Sequence, residues 1–252
     1  MDITGHTIFI PGATSGLGLA LALRLQARGN TVIIGGRRTE LLESLSLEHP
    51  GLDTIRLDTT DPESIRSATA EVLSRHPDLD MLIAMAGIMQ AEDWTRSEGL
   101  LETAEAIVTT NVLGPIRLIA GLLDHFVARG DATIMTVSSG LAFTPLRITP
   151  TYNASKAAIH MLSESIRLQL EGTGVRVLEL EPPAVQTDLM PGQAESERAM
   201  GLDAFADEVM DILETDPEPR EIQVETVKVL RYAEIRGEYP QVIEALNASH
   251  ED

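Results

Sequence analysis

"TIFIPGATSGLGLALAL" (residues 7–23) places three glycines between a short apolar run and an apolar pattern of helical spacing. In a strand–turn–helix unit, the first glycine permits a tight turn, and the later ones let backbone and helix approach a ligand closely. The helix N-terminus then faces the pyrophosphate of a dinucleotide. A plain strand-to-helix turn is the alternative; a triphosphate-binding loop is excluded because no Gly-Lys-Ser or Gly-Lys-Thr follows. The residues of this turn that are predicted to bind the dinucleotide are Gly12, Thr14, Ser15, Gly16, Leu17 and Gly18.

Strand and helix patterns continue to alternate along the chain. The predicted strands are TIFI (7–10), TVIIG (31–35), DTIRL (53–57), MLIAMA (81–86), TIMTV (133–137) and VRVLEL (175–180). Their near-continuous apolarity indicates a parallel sheet buried on both faces. We therefore predict an α/β protein with a single-domain Rossmann fold over residues 1–252, with no linker dividing it. Its doubly wound parallel sheet has the strand order 3-2-1-4-5-6, with helices on both faces.

The pattern becomes irregular after Pro182. Residues 188–215 are rich in loop formers and small helical patches, and we expect them to form an irregular substrate lid inserted in the same domain. EIQV (221–224) is a candidate seventh strand, followed by a final helix around residues 226–235.

Composition excludes several classes of function. No cysteine occurs, so disulfides and thiolate metal sites are absent. The formal net charge of -20 repels nucleic acid and anionic membrane surfaces, so we expect neither as a partner. The first apolar stretch is broken by proline and glycine and lacks a basic flank, so it is neither a signal peptide nor a membrane span. We expect a cytoplasmic protein whose acidic stretch 203–221 is a solvated helical face.

Tyr152 and Lys156 lie four residues apart, in "YNASK". On a helix this spacing puts both side chains on one face. Alone, such a pair is ordinary, but Ser139 follows the fifth predicted strand and Asn111 lies in the preceding helical pattern.

These features resemble the short-chain dehydrogenase/reductase family. The glycine spacing matches its T-G-x-x-x-G-x-G pattern, with Pro11 in place of the threonine. The segments NVLG, VSSG and YNASK match its Asn-Ser-Tyr-Lys tetrad, and the resemblance covers roughly residues 7–190. Members of this family transfer a hydride between a nicotinamide dinucleotide and a carbonyl or alcohol. The catalytic residues that the resemblance implies are Asn111, Ser139, Tyr152 and Lys156.

The chemistry explains these residue types. A carbonyl that accepts a hydride develops negative charge on its oxygen, which requires a proton donor and fixed dipoles. Tyr152 is the expected general acid/base, and Ser139, rather than its neighbour Ser138, is expected to hydrogen-bond the substrate oxygen. Lys156 is expected to stabilise the phenolate and hold the nicotinamide ribose, and Asn111 to anchor a proton-relaying water.

The second predicted strand ends in "GGRR", where an acidic residue would bind the ribose 2'-hydroxyl of NAD. Gly36 occupies that position, and Arg37 and Arg38 suit a 2'-phosphate. We therefore favour NADP(H) over NAD(H); the alternative is that both arginines point into water. The resemblance assigns further cofactor contacts, with Met85 replacing the usual asparagine of the family's N-A-G motif: Asp58, Thr59, Ala86, Gly87, Pro182, Val185 and Thr187, besides Tyr152 and Lys156.

The remaining residues bear on a metal site and on the substrate pocket. The six histidines, of which His250 is the last, have no metal-ligand spacing, so no metal is expected. An apolar pocket for a small, hydrophobic substrate is predicted from Met89, Trp94, Leu141, Phe143, Leu146 and Met190.

The helix at 150–171 carries more small and apolar surface than one sheet face needs, so a homodimer or homotetramer is expected. The alternative to an enzyme is a catalytically silent dinucleotide-sensing protein on the same fold. An epimerase or dehydratase ranks lower, because its substrate domain needs a longer chain.

Overall fold

The computed structural model describes residues 2–248. Seven parallel strands form one sheet in the order β3-β2-β1-β4-β5-β6-β7, so the predicted topology is confirmed and includes the seventh strand. The strands are β1 (Thr7–Pro11), β2 (Thr31–Gly36), β3 (Leu52–Arg56), β4 (Met81–Ala84), β5 (Ala132–Val137), β6 (Val175–Leu180) and β7 (Glu221–Ile222).

The helices lie on both sides of this sheet. They are α1 (Gly16–Ala27), α2 (Thr39–Glu48), α3 (Pro62–Arg75), α4 (Leu100–Val108), α5 (Gly114–Arg129), α6 (Pro150–Gln169), α7 (Leu202–Thr215), α8 (Lys228–Arg231) and α9 (Tyr239–Asn247). Short 3-10 turns cover Gly140–Ala142 and Glu225–Val227.

The alternation of side chains along each strand explains why a buried cluster lies on each face of the sheet. Successive side chains of a strand point to opposite faces. Accordingly, Ile8 and Ile10 belong to one buried cluster, which includes side chains of α1 and α7. Phe9, between them, belongs to a second cluster with side chains of α3 and α5. Both faces of β1 are therefore covered, as the apolar run predicts.

The long helical pattern before β5 is not one continuous α-helix. Thr109–Leu113 forms a π-helical segment between α4 and α5. Leu100–Arg129 as a whole has the length and hydropathy of a membrane-spanning helix, with 44% of the most apolar window buried. Because Ile107, Leu118 and Phe126 are buried in the protein core, this segment is a core helix of the fold.

The predicted lid has an irregular part and a regular part. Residues 188–201 contain only turns, bends and an isolated bridge, whereas Leu202–Thr215 is the regular helix α7. Phe205 and Val209 bury the apolar face of α7 against the core. On its acidic face, Arg24 of α1 pairs with Asp203 and Asp207, whose side chains are mostly exposed.

The carboxyl-terminal region departs most from the prediction. The seventh strand ends at Ile222, and the predicted helix at 226–235 is only the single turn α8 with flanking turns. The helix α9 was not predicted, and His250 lies outside the described residues.

Candidate active site

A cavity of about 590 Å³ opens at the carboxyl ends of the central strands. Ligands of doubly wound sheets bind at this edge. Twelve of the predicted site residues line the cavity, namely Gly12, Ser15, Gly16, Leu17, Gly18, Gly87, Ser139, Tyr152, Lys156, Pro182, Val185 and Thr187. The other seven are not part of its lining: Thr14, Arg37, Arg38, Asp58, Thr59, Ala86 and Asn111.

The glycine turn leaves no room for side chains. Gly12 has φ +85°, and a Cβ there would lie 2.5 Å from the Cα of Ala86. A Cβ on Gly18 would lie 2.7 Å from the Cα of Ala13, which lets α1 approach β1 closely. Since α1 begins at Gly16, its free backbone N–H groups face the cavity. The turn therefore has the shape and polarity of a pyrophosphate cradle.

Tyr152 and Ser139 come together at the opposite wall. Tyr152 lies in the first turn of α6 and is 5% exposed. Burial raises the pKa of Tyr152 to about 12, and its hydrogen bond with Ser139 acts in the opposite direction. Ser139 is itself oriented by the N–H of Leu141, which donates to its Oγ at 3.1 Å. In the protein alone the phenol therefore holds its proton and is ready to donate it.

Lys156 lies one turn further along α6 and is equally enclosed. Its Nζ donates to the carbonyl of Val137 at 2.8 Å and lies 5.5 Å from the centre of the Tyr152 ring. Burial lowers the pKa of Lys156 to about 8, and the charge of Glu179 opposes this shift. A Cβ on Gly87 would lie 3.7 Å from this Nζ, so the small residue lets the ammonium reach the cavity.

Asn111 lies in the π-helical segment, at the back of the site. Its Oδ1 accepts from the N–H of Ile88 at 2.8 Å, and its Nδ2 donates to the carbonyl of Ile88 at 2.9 Å. The same Nδ2 donates to Ser155 Oγ at 3.1 Å. Asn111 thus connects α6 with the segment that follows β4.

The region beyond the carboxyl end of β2 is where an adenosine ribose would lie. Arg37 and Arg38 are exposed there, and a Cβ on Gly36 would lie 2.4 Å from the Cγ2 of Thr14. Asp58 Oδ1 accepts from the N–H and the hydroxyl of Thr60 at 2.9 and 2.7 Å. Partial burial by itself would raise the pKa of Asp58. The two hydrogen bonds from Thr60 and the charge of Arg37 outweigh this effect, so the pKa is lowered.

Comparison with known proteins matches this arrangement to one family. The profile described as "short chain dehydrogenase" matches residues 6–198. The chain belongs to the short-chain dehydrogenase/reductase family.

Members of this family resemble the chain over most of its length. The uncharacterized oxidoreductase DltE of Bacillus subtilis is 33% identical, covering 98% of each chain. The sulfoacetaldehyde reductase of Chromohalobacter salexigens is 35% identical, covering 75% of this chain and 73% of its own. A short-chain dehydrogenase of Streptomyces avermitilis has a TM-score of 0.81 at 27% identity, covering 96% of each chain. A short-chain dehydrogenase of Burkholderia cenocepacia in complex with NADP has a TM-score of 0.80 at 24% identity. The match covers 97% of this chain and 98% of that one.

One residue that the sequence interpretation missed holds the segment after Pro182. Gln193 Nε2 donates to the carbonyl of Val185 at 2.7 Å and contacts Thr187 Oγ1 at 3.4 Å. Gln193 therefore orients two predicted cofactor contacts. Its only sequence signal was a polar residue in an irregular segment, which does not specify a partner.

The predicted apolar pocket is largely wrong. Of its six residues, only Met89 lines the cavity. Trp94 is 63% exposed, and Phe143 packs instead against His160 and Arg231, at 4.6 and 4.3 Å. The apolar lining comes from other residues: Leu17, Met85, Ile88, Val137, Leu189 and Leu202.

Proposed function

We propose that this short-chain dehydrogenase is an NADP(H)-dependent carbonyl reductase or alcohol dehydrogenase with Tyr152 as general acid/base. One observation carries the proposal: the hydroxyls of Tyr152 and Ser139 and the ammonium of Lys156 line the same cavity as the glycine turn. The cavity thus combines a proton donor, a polar contact for a substrate oxygen and an anion-binding helix terminus.

The residues present fit a nicotinamide dinucleotide. Gly12 has a positive φ and packs so closely on Ala86 that no side chain fits there, so the turn lines the cavity with bare backbone at the start of α1. When bound, the reduced cofactor supplies the hydride. Tyr152 donates its phenolic proton to the carbonyl oxygen, and Ser139 hydrogen-bonds that oxygen as negative charge develops. In the reverse direction Tyr152 accepts the proton of the alcohol. The positive charge of Lys156, beside the ring, favours the phenolate that this requires.

The preference for NADP(H) is supported by the contact between Gly36 and Thr14. A side chain at Gly36 that could bind a 2'-hydroxyl would collide with the Thr14 methyl, 2.4 Å from its Cβ. The exposed Arg37 and Arg38 beside it offer guanidinium groups to a 2'-phosphate.

The cavity lining supports a small substrate with an apolar part next to the carbonyl. Met85, Ile88 and Met89 contribute apolar surface, while Gln90, Gln186 and Gln193 contribute amides. The similarity to a sulfoacetaldehyde reductase agrees with a small aldehyde or ketone.

The test is a fluorescence titration with NADPH and NADH in parallel, followed by turnover of a panel of small carbonyl compounds. We expect tighter binding of NADPH, and equal affinities would contradict the role of Arg37. Tyr152→Phe should lose turnover at least about a thousandfold while it still binds NADPH. Tyr239→Phe, a tyrosine of α9 outside the cavity lining, is the matched control. Binding of cofactor without turnover in the unmodified protein would instead favour a dinucleotide sensor.

A homodimer or homotetramer in the cytoplasm completes the proposal. Large apolar side chains are exposed on α4, α5 and α6, among them Leu101, Ile116, Met161 and Leu168. Such surface supports self-association. Light scattering after size-exclusion chromatography tests it, and a monomer at micromolar concentration would contradict it.

A further inference from the structure

Beneath the Ser139 loop, charged side chains from several elements form what we call the carboxyl cluster: Glu179 of β6, Glu181 just after it, Glu221 of β7, His160 of α6 and Arg231 of α8. Glu179 and Glu181 are fully buried, each 0% exposed. None of the five residues lines the active-site cavity. Buried carboxylates in a strand need a physical reason, because each costs free energy unless it is paired.

Pairing within the carboxyl cluster is incomplete. Arg231 donates to both oxygens of Glu221, at 3.2 and 2.9 Å. His160 Nδ1 lies 3.0 Å from Glu179 Oε2. Three carboxylates therefore face one guanidinium and one imidazole. Even with His160 protonated, one negative charge has no cation of its own within the cluster. The ammonium of Lys156 interacts with the charge of Glu179 from outside the cluster, but it donates its hydrogen bond to the carbonyl of Val137.

The uncompensated charge belongs to Glu181. Its Oε2 accepts from Gln223 Nε2 at 3.0 Å, but its Oε1 is buried without a hydrogen-bond partner. The nearest cation is Arg231, whose Nε lies 3.6 Å from that oxygen and already binds Glu221. Burial first, and then the charges of Glu221 and Glu179, raise the pKa of Glu181 to about 8. At neutral pH, Glu181 therefore holds a proton. That proton completes the charge balance of the cluster.

The carboxyl cluster is attached to each part of the active site. Glu181 directly precedes Pro182, whose carbonyl accepts from the N–H of Gly140 at 3.0 Å and from Ser139 Oγ at 3.4 Å. His160 lies on α6, the helix that carries Tyr152.

A second attachment runs through α8. The guanidinium of Arg231 lies 4.3 Å from the ring of Phe143, whose other neighbour is His160. A Cβ on Gly140 would lie 2.7 Å from Leu230 Cδ1, so α8 presses directly on the backbone next to Ser139.

We infer that Glu181, as a neutral carboxylic acid, is a positioning residue that keeps the Ser139 loop, the Pro182 segment and α6 in their catalytic arrangement. When Glu181 ionises, three carboxylates repel one another at the junction of these elements. The positive charges that oppose this repulsion are Arg231 and His160 and, through Glu179, Lys156. Tyr232 is a further titratable group at this junction. Its hydroxyl donates to Gln223 Oε1 at 2.8 Å. Because Arg231 already supplies the cation between Glu181 and Glu221, the cluster holds a proton rather than a metal. The effect on turnover rests on the proposed function.

The decisive variant is Glu181→Gln, which keeps the size of the side chain and its hydrogen bonding but cannot ionise. Between pH 6.5 and 9.5 the protonated fraction of an acid with a pKa of about 8 falls about thirtyfold. The ratio of kcat for Glu181→Gln to kcat for the unmodified protein should therefore be constant near pH 6.5 and rise several-fold by pH 9.5. Titration of Tyr152 cancels in this ratio, because both proteins contain it. KM for NADPH should rise more steeply with pH in the unmodified protein than in Glu181→Gln, because Lys156 titrates in both proteins and Glu181 in only one.

Glu218→Gln is the control, since it removes an exposed glutamate of the same region. Its kcat ratio should stay flat. A flat ratio for Glu181→Gln as well would overturn the positioning role.

Infrared spectroscopy of the unmodified protein keeps the inference testable even if the variant does not fold. A protonated carboxylic acid band should be present at pH 6.5 and absent at pH 9.5. Its absence at pH 6.5 would overturn the inference. Its presence in a protein without any carbonyl turnover would overturn the proposed function and, with it, the positioning role.

Discussion

The side-chain amide of Asn111 is hydrogen-bonded to both backbone polar groups of Ile88. The N–H of Ile88 donates to Oδ1 at 2.8 Å, and Nδ2 donates to the carbonyl of Ile88 at 2.9 Å. Asn111 sits in the π-helical segment, whose altered hydrogen-bond register directs this amide toward the chain after β4. The same Nδ2 reaches Ser155, next to Lys156, so one side chain connects the π-helical segment, Ile88 and α6.

Asn111→Ala should reduce both stability and turnover. It leaves the N–H and C=O of Ile88 without partners, which should cost about 2 kcal/mol of unfolding free energy. It should also lower kcat, because α6 loses its link to the residues that follow β4. Urea unfolding and steady-state kinetics measure the two effects.

Asn30→Ala is the matched control. Asn30 is also a buried amide that accepts from a backbone N–H and donates to backbone carbonyls, those of Ile3 and Leu25, but it lies far from the cavity. It should lose similar stability and keep its kcat. Equal losses of kcat in both variants would contradict a role for Asn111 in the site.

Gly12→Ala should destabilise the protein far more than Gly29→Ala. Both glycines have φ near +85°, but a Cβ on Gly29 meets nothing within 4 Å, whereas one on Gly12 meets the backbone of Ala86. The left-handed conformation alone costs about 1 kcal/mol, so we expect that value for Gly29→Ala. Gly12→Ala should cost at least about 3 kcal/mol and abolish NADPH binding. Urea unfolding compares the two, and equal costs would show that the contact with Ala86 does not matter.

Local pattern was enough to predict the sheet and to place Tyr152 and Lys156 side by side. Apolar runs recur at the strands, and glycines recur at the turns between elements. Tyr152 and Lys156 are four residues apart on one helix, so their proximity follows from local structure alone. The strand order, including the seventh strand, is confirmed because few parallel topologies satisfy right-handed crossovers.

Features that depend on contacts between distant segments were not predictable. The hydrogen bonds between Asn111 and Ile88 join two separate segments, and so does the close approach of Thr14 to Gly36. Phe143 was expected in the pocket but turns toward Arg231 and His160, which no local pattern indicates.

The carboxyl cluster did leave a signal in the sequence. Glu179 interrupts an apolar strand that must be buried, Glu181 directly follows that strand, and such acids require partners. Their partners on α6, β7 and α8 became visible only in the folded chain.

Gly36→Ala should be destabilising by itself and tolerated together with Thr14→Ser. The new Cβ would lie 2.4 Å from Thr14 Cγ2 but 3.7 Å from Thr14 Cβ, so removal of the methyl restores ordinary contact. The single change should cost about 2 kcal/mol, and the coupling energy of the double-mutant cycle should recover most of it. Urea unfolding of the four proteins measures this, and additive costs would refute the contact.

Gly36 and Thr14 should also control the choice between NADPH and NADH. Gly36→Asp introduces an acid that can accept from a 2'-hydroxyl and repels a 2'-phosphate. NADH binding should improve only when Thr14→Ser accompanies it, while NADPH binding weakens at least about tenfold in both backgrounds. Parallel fluorescence titrations compare the variants. Improved NADH binding in Gly36→Asp alone would show that Thr14 does not limit this position.

Lys156→Met should be more stable than the unmodified protein at pH 7, although it loses turnover. Burial lowers the pKa of Lys156 to about 8 from 10.5, so the folded state binds this proton less tightly than the unfolded state does. Below pH 8 both states are protonated, and the full cost of about 3 kcal/mol is present. Loss of the hydrogen bond to Val137 offsets about 1 kcal/mol, which leaves a net gain of about 2 kcal/mol for the methionine.

The sign of the pH dependence distinguishes this cause from simple repacking. As the pH rises from 8 to 10.5, the lysine of the folded state loses its charge before that of the unfolded state, so the unmodified protein gains stability. The advantage of Lys156→Met should therefore shrink over this window and reverse. Lys228→Met is the control, since Lys228 is the only other lysine of the chain and is partly exposed. This variant should show no gain of stability at either pH. Urea unfolding at pH 7 and 10.5 provides the comparison. A gain that persists unchanged at pH 10.5 would mean that packing, and not the buried charge, limits stability at this position.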